Sequence, residues 1–236
     1  GKPVTIEPKK EKKVDDDKTD YYFINSIGSD EVGTGDYFGP IIVCASYVNR
    51  KDISFLEELG VRDSKKLTDD KILKIAPEII KRIPHQEEII SNSEYNNMQD
   101  NGYNMNKIKA IYHNKALLGL MKKDNFVYDM VVVDQFTPER NYYNYLKSEP
   151  NVFRKIKFTT KAEDKCLSVA CSSIISRYLF LKEIEKMGNS LGSFIPKGAS
   201  TLVDDYGKKI VQNFGKEKLR SIAKLNFKNT EKILNN

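Results

Sequence analysis

The stretch GSDEVGTGDYFGP, residues 28–40, decides how the rest of the chain is interpreted. Two adjacent acids, Asp30 and Glu31, follow an apolar segment, and a glycine-rich turn then leads into the apolar run GPIIVCASYV. This order predicts two strands joined by a tight turn. Because adjacent residues of a strand point to opposite faces, both acids can serve one site only if the strand ends or bends at Glu31. Gly33 and Gly35 would permit such a bend.

Two kinds of phosphate-binding loop compete for these glycines, and neither fits. Position 38 is Phe, so a GxGxxG dinucleotide fingerprint is not completed, and the turn leads to Pro40 and a strand instead of a helix. No GK[ST] sequence follows, which also excludes a P-loop. The turn is therefore not interpreted as a nucleotide-binding loop.

Charge and cysteine content narrow the class of protein. The 236 residues include 39 Lys and Arg against 33 Asp and Glu, and the net charge of +6 suits a polyanionic partner but equally serves solubility. The three cysteines, Cys44, Cys166 and Cys171, match no zinc pattern and are interpreted as reduced core residues, which indicates a cytoplasmic protein. No apolar run approaches the roughly 18 residues of a membrane span, and no signal-peptide core is found at the start.

The remaining pattern predicts an α/β domain behind a polar tail. Residues 1–20, with KKEKK followed by DDD, are predicted to be a disordered tail or linker, and residues 21–236 one domain. Further strands are predicted at HQEEIIS, DMVVVDQF and KIKFTT, and Pro77 within the helical pattern DDKILKIAPEIIKRI predicts a kink or two short helices. Paired strands followed by alternating strands and helices predict a mixed sheet flanked by helices, with a helical C-terminal region.

Two further acids follow predicted strands. Asp134 ends a buried apolar run, where ligand sites of α/β sheets gather, although an Asp there can also start a turn. Glu163 lies near the start of a long predicted helix, where an acid is favoured by the helix dipole alone. Four clustered carboxylates would repel one another, and two Mg²⁺ ions would offset their charge. Composition alone does not show that the four acids converge.

Several spaced motifs, taken in order, resemble the type 2 ribonuclease H family, and its ribonuclease HIII branch most closely. The resemblance extends from residue 24 to about residue 232. The motifs are GSDEVGTGDYFGP (28–40), GVRDSKKLTD (60–69), KAIYHNKAL (109–117), VVVDQF (131–136), KAEDKCLSVACSSIISRY (161–178), IPKGAS (195–200) and FKNTEK (227–232). The Gly-Thr-Gly turn and Glu163 favour the HIII branch, since ribonuclease HII usually has Gly-Arg-Gly and Asp there.

The resemblance implies an RNase H-like fold and an endoribonuclease that hydrolyses the RNA strand of RNA/DNA hybrids, leaving 5′-phosphate and 3′-hydroxyl ends. It implies that Asp30, Glu31, Asp134 and Glu163 are catalytic and hold two Mg²⁺ or Mn²⁺ ions, with Asp30 bridging both. The family's N-terminal substrate-binding domain is not recognised in this chain, so an isolated catalytic domain is expected, monomeric and without a protein partner. The alternatives are ribonuclease HII-like excision of single ribonucleotides, a DNA-directed nuclease of the same fold, and a non-catalytic hybrid-binding module.

The residues expected to contact substrate form two groups. The backbone of Gly33, Thr34 and Gly35 would reach ribose 2′-hydroxyls, with a plain tight turn as the alternative. The second group would contact phosphates, with solvated surface charge as the alternative, and consists of Ser64, Lys65, Lys66 and Lys161. His113, within KAIYHNKAL, is expected to be a packed or hydrogen-bonded structural residue, with a proton shuttle as the alternative.

Overall fold

A computed structural model describes residues 21–235, and within them the chain forms one five-stranded sheet with helices on both faces. The strands, β1 to β5, are Ser26–Val32, Ile41–Val48, His85–Ile90, Met130–Asp134 and Ile156–Thr159. Their order in the sheet is β3-β2-β1-β4-β5; β2 is antiparallel to β1 and β3, and β4 is parallel to β1 and β5. The predicted mixed sheet is confirmed. The tail predicted at residues 1–20 lies outside the described residues.

The helices fill the two faces of the sheet and the C-terminal region. In chain order, α1 to α9 are Ile53–Glu58, Asp69–Arg82, Asn92–Asp100, Met105–Met121, Glu139–Tyr145, Leu167–Leu191, Thr201–Phe214, Lys218–Ile222 and Lys228–Leu234. Three 3₁₀ turns lie at Arg50–Asp52, Val61–Lys66 and Ala162–Asp164. None of the helices in residues 21–235 is long and apolar enough to cross a membrane.

Helix α2 differs from the prediction because it runs unbroken from Asp69 to Arg82 with Pro77 inside it. The Thr68 side chain caps its first turn by accepting from Lys71 N. Its buried residues, including Ile72 and Ile79, continue on both sides of the proline and pack into the core beneath the sheet. The prediction of two short helices is therefore wrong, since burial of one continuous apolar face outweighs the missing backbone donor.

Helix α6 packs directly on β1 because β1 has a glycine at the contact. A Cβ atom added to Gly28 would lie 2.3 Å from the Val169 backbone nitrogen, closer than any side chain allows. Helix α4 covers the opposite face, where Ile27, Val131 and Leu117 belong to one apolar cluster. The sheet is thus enclosed between α6 and α4, and both helices reach its carboxyl end.

The pleat of β1 assigns its residues alternately to these two helices. Ser26 contacts Ser168 of α6, whereas Ser29 contacts His113 of α4. The parallel ladder with β4 ends at Ser29, but the pairing of β1 with β2 continues to Val32. β1 therefore does not end at Glu31, which is one of the two arrangements expected for acids that serve one site. The two acids lie on opposite faces of β1, beyond the end of its ladder with β4.

The cysteines are in the core. Cys44, Cys166 and Cys171 are buried free thiols, as the sequence predicts. Burial raises the pKa of the Cys44 thiol to about 12, and that of Cys171 well above its ordinary value. These thiols are inert packing residues.

Candidate active site

The carboxyl ends of β1 and β4, with the turn after β5, bring the four predicted acids into one region. Asp30 receives a hydrogen bond from Ser173 of α6. Asp134 ends β4, and its Oδ1 accepts from the Ala162 backbone nitrogen at 2.9 Å. That bond holds the 3₁₀ turn that carries Glu163, which the sequence had placed near the start of the long helix. The parallel strands therefore explain why acids far apart in sequence become neighbours.

Asp134 is the electrostatic centre of the group. Its carboxylate interacts with those of Asp30, Glu31 and Glu163. Burial, and then repulsion from Glu31, raises the pKa of Asp30 well above its ordinary value. Burial also raises the pKa of Asp134, with Glu163 and Glu31 adding to the effect. Both shifts come first from burial, and repulsion among the neighbouring carboxylates adds to them.

Glu31 differs from Asp30 and Asp134 because two side chains of α4 contact its carboxylate. The Lys109 ammonium contacts its Oε1, and His113 Nε2 lies 2.9 Å from its Oε2. Burial alone would raise the pKa of Glu31, but His113 and Lys109 together lower it to about 2. One turn of helix separates the two side chains, so both reach the same face of β1.

His113 is itself fixed in place. The ring is fully buried, its Nδ1 lies 2.6 Å from Ser29 Oγ, and it stacks on Phe136 at 5.3 Å between centroids. The ring therefore bridges two side chains of β1, with Nε2 facing the Glu31 carboxylate and Nδ1 facing the Ser29 hydroxyl. The expectation of a packed or hydrogen-bonded residue is confirmed, although the sequence did not predict that Glu31 is its partner. The sequence contains the spacing of Lys109 and His113, but not the strand that this face of α4 covers.

Lys65, which is predicted to contact phosphate, forms ion pairs with two acids at the site. Its Nζ is 2.9 Å from Glu163 Oε1 and 2.8 Å from Asp164 Oδ2. Although burial acts in the opposite direction, these two carboxylates raise the pKa of Lys65. Ser64 and Lys66 share its 3₁₀ turn. Lys161 is exposed, with a positive φ of 53°, at the start of the turn that carries Glu163. All four residues of this predicted group therefore border the site.

The glycine turn lies at the end of β1, next to the acids. Asp36 N donates to Gly33 O at 3.3 Å and closes the turn. Gly33 has a φ of 99°, and an added Cβ would lie 2.3 Å from Pro40 O, so the fold itself requires glycine there. Gly35 is exposed, has no positive φ, and has open space where a Cβ would be. The fold of this turn gives no reason for glycine at position 35.

A buried lysine in the C-terminal region holds this turn, and no motif or periodic pattern predicted it. Lys224 Nζ donates to the carbonyl oxygens of Asp36 at 2.7 Å and Gly39 at 2.6 Å. Gly198, in the motif IPKGAS, donates its backbone N–H to Asp36 Oδ1 at 2.7 Å and accepts from Tyr37 N at 2.9 Å. Burial lowers the pKa of Lys224 to about 7. The C-terminal segments therefore shape the loop beside the acids.

The donor atoms at this site fit a hard divalent cation. Asp30, Glu31, Asp134 and Glu163 offer only carboxylate oxygens, the ligands that Mg²⁺ and Mn²⁺ prefer. The negative charge that raises the pKa values of Asp30 and Asp134 is what a cation would offset. Across residues 21–235, no three His, Cys, Asp or Glu side chains are grouped closely enough to form a ready-made cation site. Glu31 and Glu163 are each engaged by a lysine, so their oxygens would have to turn toward the ion.

Comparison with known proteins gives a consistent family. The family model described as Ribonuclease HII matches residues 27–230. The chain is 48% identical over 212 residues to Ribonuclease HIII of Phytoplasma mali, covering 88% of this chain and 72% of that protein. It is 45% identical to Ribonuclease HIII of Lactococcus lactis, covering 89% and 72%. The crystal structure of Bst-RNase HIII in complex with Mn²⁺ superposes with a TM-score of 0.89 at 41% identity, covering 91% of this chain and 70% of that one.

Proposed function

The chain belongs to the type 2 ribonuclease H family, and we propose from this and from its site that it is an endoribonuclease which hydrolyses the RNA strand of RNA/DNA hybrids. The observation that carries the proposal is the meeting of Asp30, Glu31, Asp134 and Glu163 beside the Gly33–Gly35 turn. Carboxylates supply the hydrolytic chemistry, and the turn distinguishes RNA from DNA. Cleavage would leave 5′-phosphate and 3′-hydroxyl ends.

The reaction depends on divalent metal ions, which we propose to be two Mg²⁺ or Mn²⁺ ions held by the four carboxylates. When bound, such ions supply an activated water and offset the charge on the leaving oxygen of the phosphodiester. The Mn²⁺ complex of Bst-RNase HIII supports a divalent ion. In this chain Asp30 presents its carboxylate from the α6 side of β1 and Glu31 from the α4 side, so the ligands approach from both faces of the sheet.

The glycine turn is proposed to recognise the ribose 2′-hydroxyls of the RNA strand. RNA differs from DNA by its 2′-hydroxyls, which are reached across the shallow minor groove of an A-like helix. Since the fold does not require glycine at position 35, close approach of a ligand to the backbone of Gly35 is the proposed reason for it. Gly33 and Thr34 complete this contact surface. The phosphate contacts are proposed to come from the second group, Ser64, Lys65, Lys66 and Lys161.

Three substrates test the proposal: a continuous RNA/DNA hybrid, a DNA duplex with one embedded ribonucleotide, and an all-DNA duplex. We expect strong cleavage of the first, poor cleavage of the second and none of the third. Asp134→Asn is the matched control, because the amide keeps an Oδ1 acceptor for Ala162 N and so preserves the turn. It should lose hybrid cleavage by at least about 100-fold with a melting temperature no lower than that of the parent.

The same assay separates the alternatives. A preference for the single ribonucleotide would identify a ribonuclease HII-like enzyme, and cleavage of the all-DNA duplex a DNA nuclease. Tight binding of the hybrid without product in Mg²⁺ or Mn²⁺ would identify a binding module. Asp134→Asn that cleaves like the parent would show that the site is misassigned.

A cytoplasmic location is also proposed. The buried free thiols of Cys44, Cys166 and Cys171 support a reducing compartment. Cell fractionation followed by immunoblotting would test this, and recovery of the protein outside the cytoplasm would contradict it. The monomeric state stays a prediction, which light scattering would test.

A further inference from the structure

Two lysine ammonium groups form ion pairs with two of the four carboxylates that are proposed to hold metal ions. Lys109 contacts Glu31, and both side chains are about nine-tenths buried, with exposed fractions of 10% and 11%. Lys65 contacts Glu163 at 2.9 Å, with 47% of the lysine side chain exposed. The two lysines come from different elements, α4 and the Val61–Lys66 turn, and the carboxylates they contact both interact with that of Asp134.

We propose that Lys109 and Lys65 are internal counter-ions that divalent cations must displace from Glu31 and Glu163, an inference that rests on the proposed function. The lysines offset the repulsion among the acids, and they set the metal affinity below the value that the carboxylates alone would give. Metal binding is then an exchange of cations at the carboxylate oxygens.

The sign of the effect follows from charge. A divalent ion that approaches Glu31 is repelled by the Lys109 ammonium and must also break its ion pair, so removing that charge strengthens metal binding. Lys109 is held in addition by the face of Phe136, 4.1 Å from the ring centroid, which makes its displacement more costly. Lys65 is half exposed, and solvent screens its pair with Glu163. The effect of Lys109 is therefore the larger of the two.

His113 provides a contrast, because its ring, held between Ser29 and Glu31, contacts Oε2 of Glu31 and leaves Oε1 to Lys109. It orients Oε2 of Glu31, as groups behind a metal ligand commonly do. Removing the ring should free the carboxylate and weaken metal binding. Variants of Lys109 and His113 should thus change the metal affinity in opposite directions, which a general loss of structure would not produce.

The experiment measures Mn²⁺ binding directly, by following free Mn²⁺ with electron paramagnetic resonance as the EDTA-treated full chain is titrated. We expect Lys109→Met to lower the Mn²⁺ Kd by about 5–10-fold and Lys65→Met by about 2-fold. His113→Ala should raise it. Lys182→Met is the matched control, since Lys182 is exposed and forms its ion pair with Glu185 of the same helix; its Kd should equal that of the parent.

Thermal unfolding of the same EDTA-treated proteins gives a second measurement. Lys109→Met should melt at a lower temperature, because Glu31 then faces Asp134 without its counter-ion. An unchanged or higher Mn²⁺ Kd for Lys109→Met overturns the inference. If Lys109→Met does not fold, Lys65→Met decides the question alone, because its half-exposed side chain can be replaced without disturbing the core.

Hybrid cleavage by the parent, measured separately, distinguishes failure of this inference from failure of the proposed function. A parent that cuts the hybrid while neither lysine variant binds Mn²⁺ more tightly refutes the counter-ion role alone. A parent that cuts no hybrid, but whose Lys109→Met variant binds Mn²⁺ more tightly, refutes the proposed reaction and leaves the lysine role in place.

Discussion

Nε2 of His113 lies 2.9 Å from Oε2 of Glu31, and this contact joins helix α4 to the end of strand β1. Ser29, two residues before Glu31 on the same face of β1, contacts the other ring nitrogen at 2.6 Å. The ring therefore spans two successive positions of one strand face. Because the ring is fully buried, it cannot turn without breaking both contacts. The direction of the Glu31 carboxylate is thus set by α4 as much as by the strand that carries it.

Replacing His113 should impair cleavage more than folding. We expect His113→Ala to lower kcat for hybrid cleavage by about 10–100-fold, the usual cost of losing a group that orients a metal ligand. KM should change little, because His113 is buried and cannot contact substrate. Steady-state kinetics with a continuous hybrid would measure this, and circular dichroism would check the fold. His85→Ala is the control, since His85 lies at the start of β3 and its ring contacts the Ile83 carbonyl oxygen and Glu87, none of which is an acid of the site. Equal losses in both variants would contradict a role specific to Glu31.

Replacing Asp30 should stabilise the protein while abolishing activity. The pKa of Asp30 is raised in the folded state, so between about pH 4, the ordinary value, and that raised value the folded chain holds a proton that the unfolded chain has lost. Stability of the parent therefore falls as pH rises through this window, and Asp30→Asn is spared that loss. In EDTA at pH 7 the variant should melt higher by a few degrees, as about 1 kcal/mol shifts the Tm of a domain this size by roughly 2–4 °C.

The pH dependence provides the check on that prediction. The gain in stability of Asp30→Asn should shrink when urea unfolding is repeated near pH 4, where the folded parent carboxyl is protonated and the unfolded one is about half protonated. Asp205→Asn, at an exposed position of α7, should show no gain at either pH. A variant of Asp30 that is less stable than the parent at pH 7 would show that its carboxylate is compensated within the protein.

The sequence predicted much of the sheet, because the information is local. Apolar runs such as Met130–Val133 predict buried strands, and an acid at the end of such a run predicts a site at the sheet edge. It could not predict how the ends of these strands are supported. Whether His113 only packs or also orients Glu31 depends on which strand α4 crosses. The burial of Lys224 depends on its contact with Gly39, 185 residues earlier in the chain. Such contacts are tertiary and leave no periodic pattern.

The error at Glu31 has the same origin. When one strand is considered by itself, its two adjacent acids can share a site only if the strand ends or bends. In the folded chain the neighbouring strand β4 ends its ladder at Ser29, so the end of β1 is open on that side and the acids reach Asp134 from both faces. The length of a neighbouring strand, rather than a bend, solves the problem.

Lys224 should make stability depend on pH in the opposite sense to Asp30. Its pKa is lowered to about 7 in the fold, so between pH 7 and about 10 the folded chain has lost a proton that the unfolded chain keeps. Stability of the parent should therefore rise with pH in this range, by up to about 1.4 kcal/mol per pH unit. Lys224→Met lacks this rise, so urea unfolding at pH 7 and pH 9.5 should show the difference moving in favour of the parent. A constant difference across that range would show that the ammonium stays charged in the fold.

The glycine turn allows folding and recognition to be separated at two neighbouring positions. Gly33→Ala should be strongly destabilised, because φ is positive and the new Cβ would lie 2.3 Å from Pro40 O. Gly35→Ala should fold like the parent, since its added Cβ meets nothing within 4 Å. If the backbone at Gly35 approaches ribose 2′-hydroxyls, the same methyl group blocks that approach, and affinity for a hybrid should fall by about 10-fold. Fluorescence anisotropy in the inactive Asp134→Asn background would measure this affinity without cleavage. Parental hybrid binding by Gly35→Ala would mean that this turn is not the element that reads the ribose.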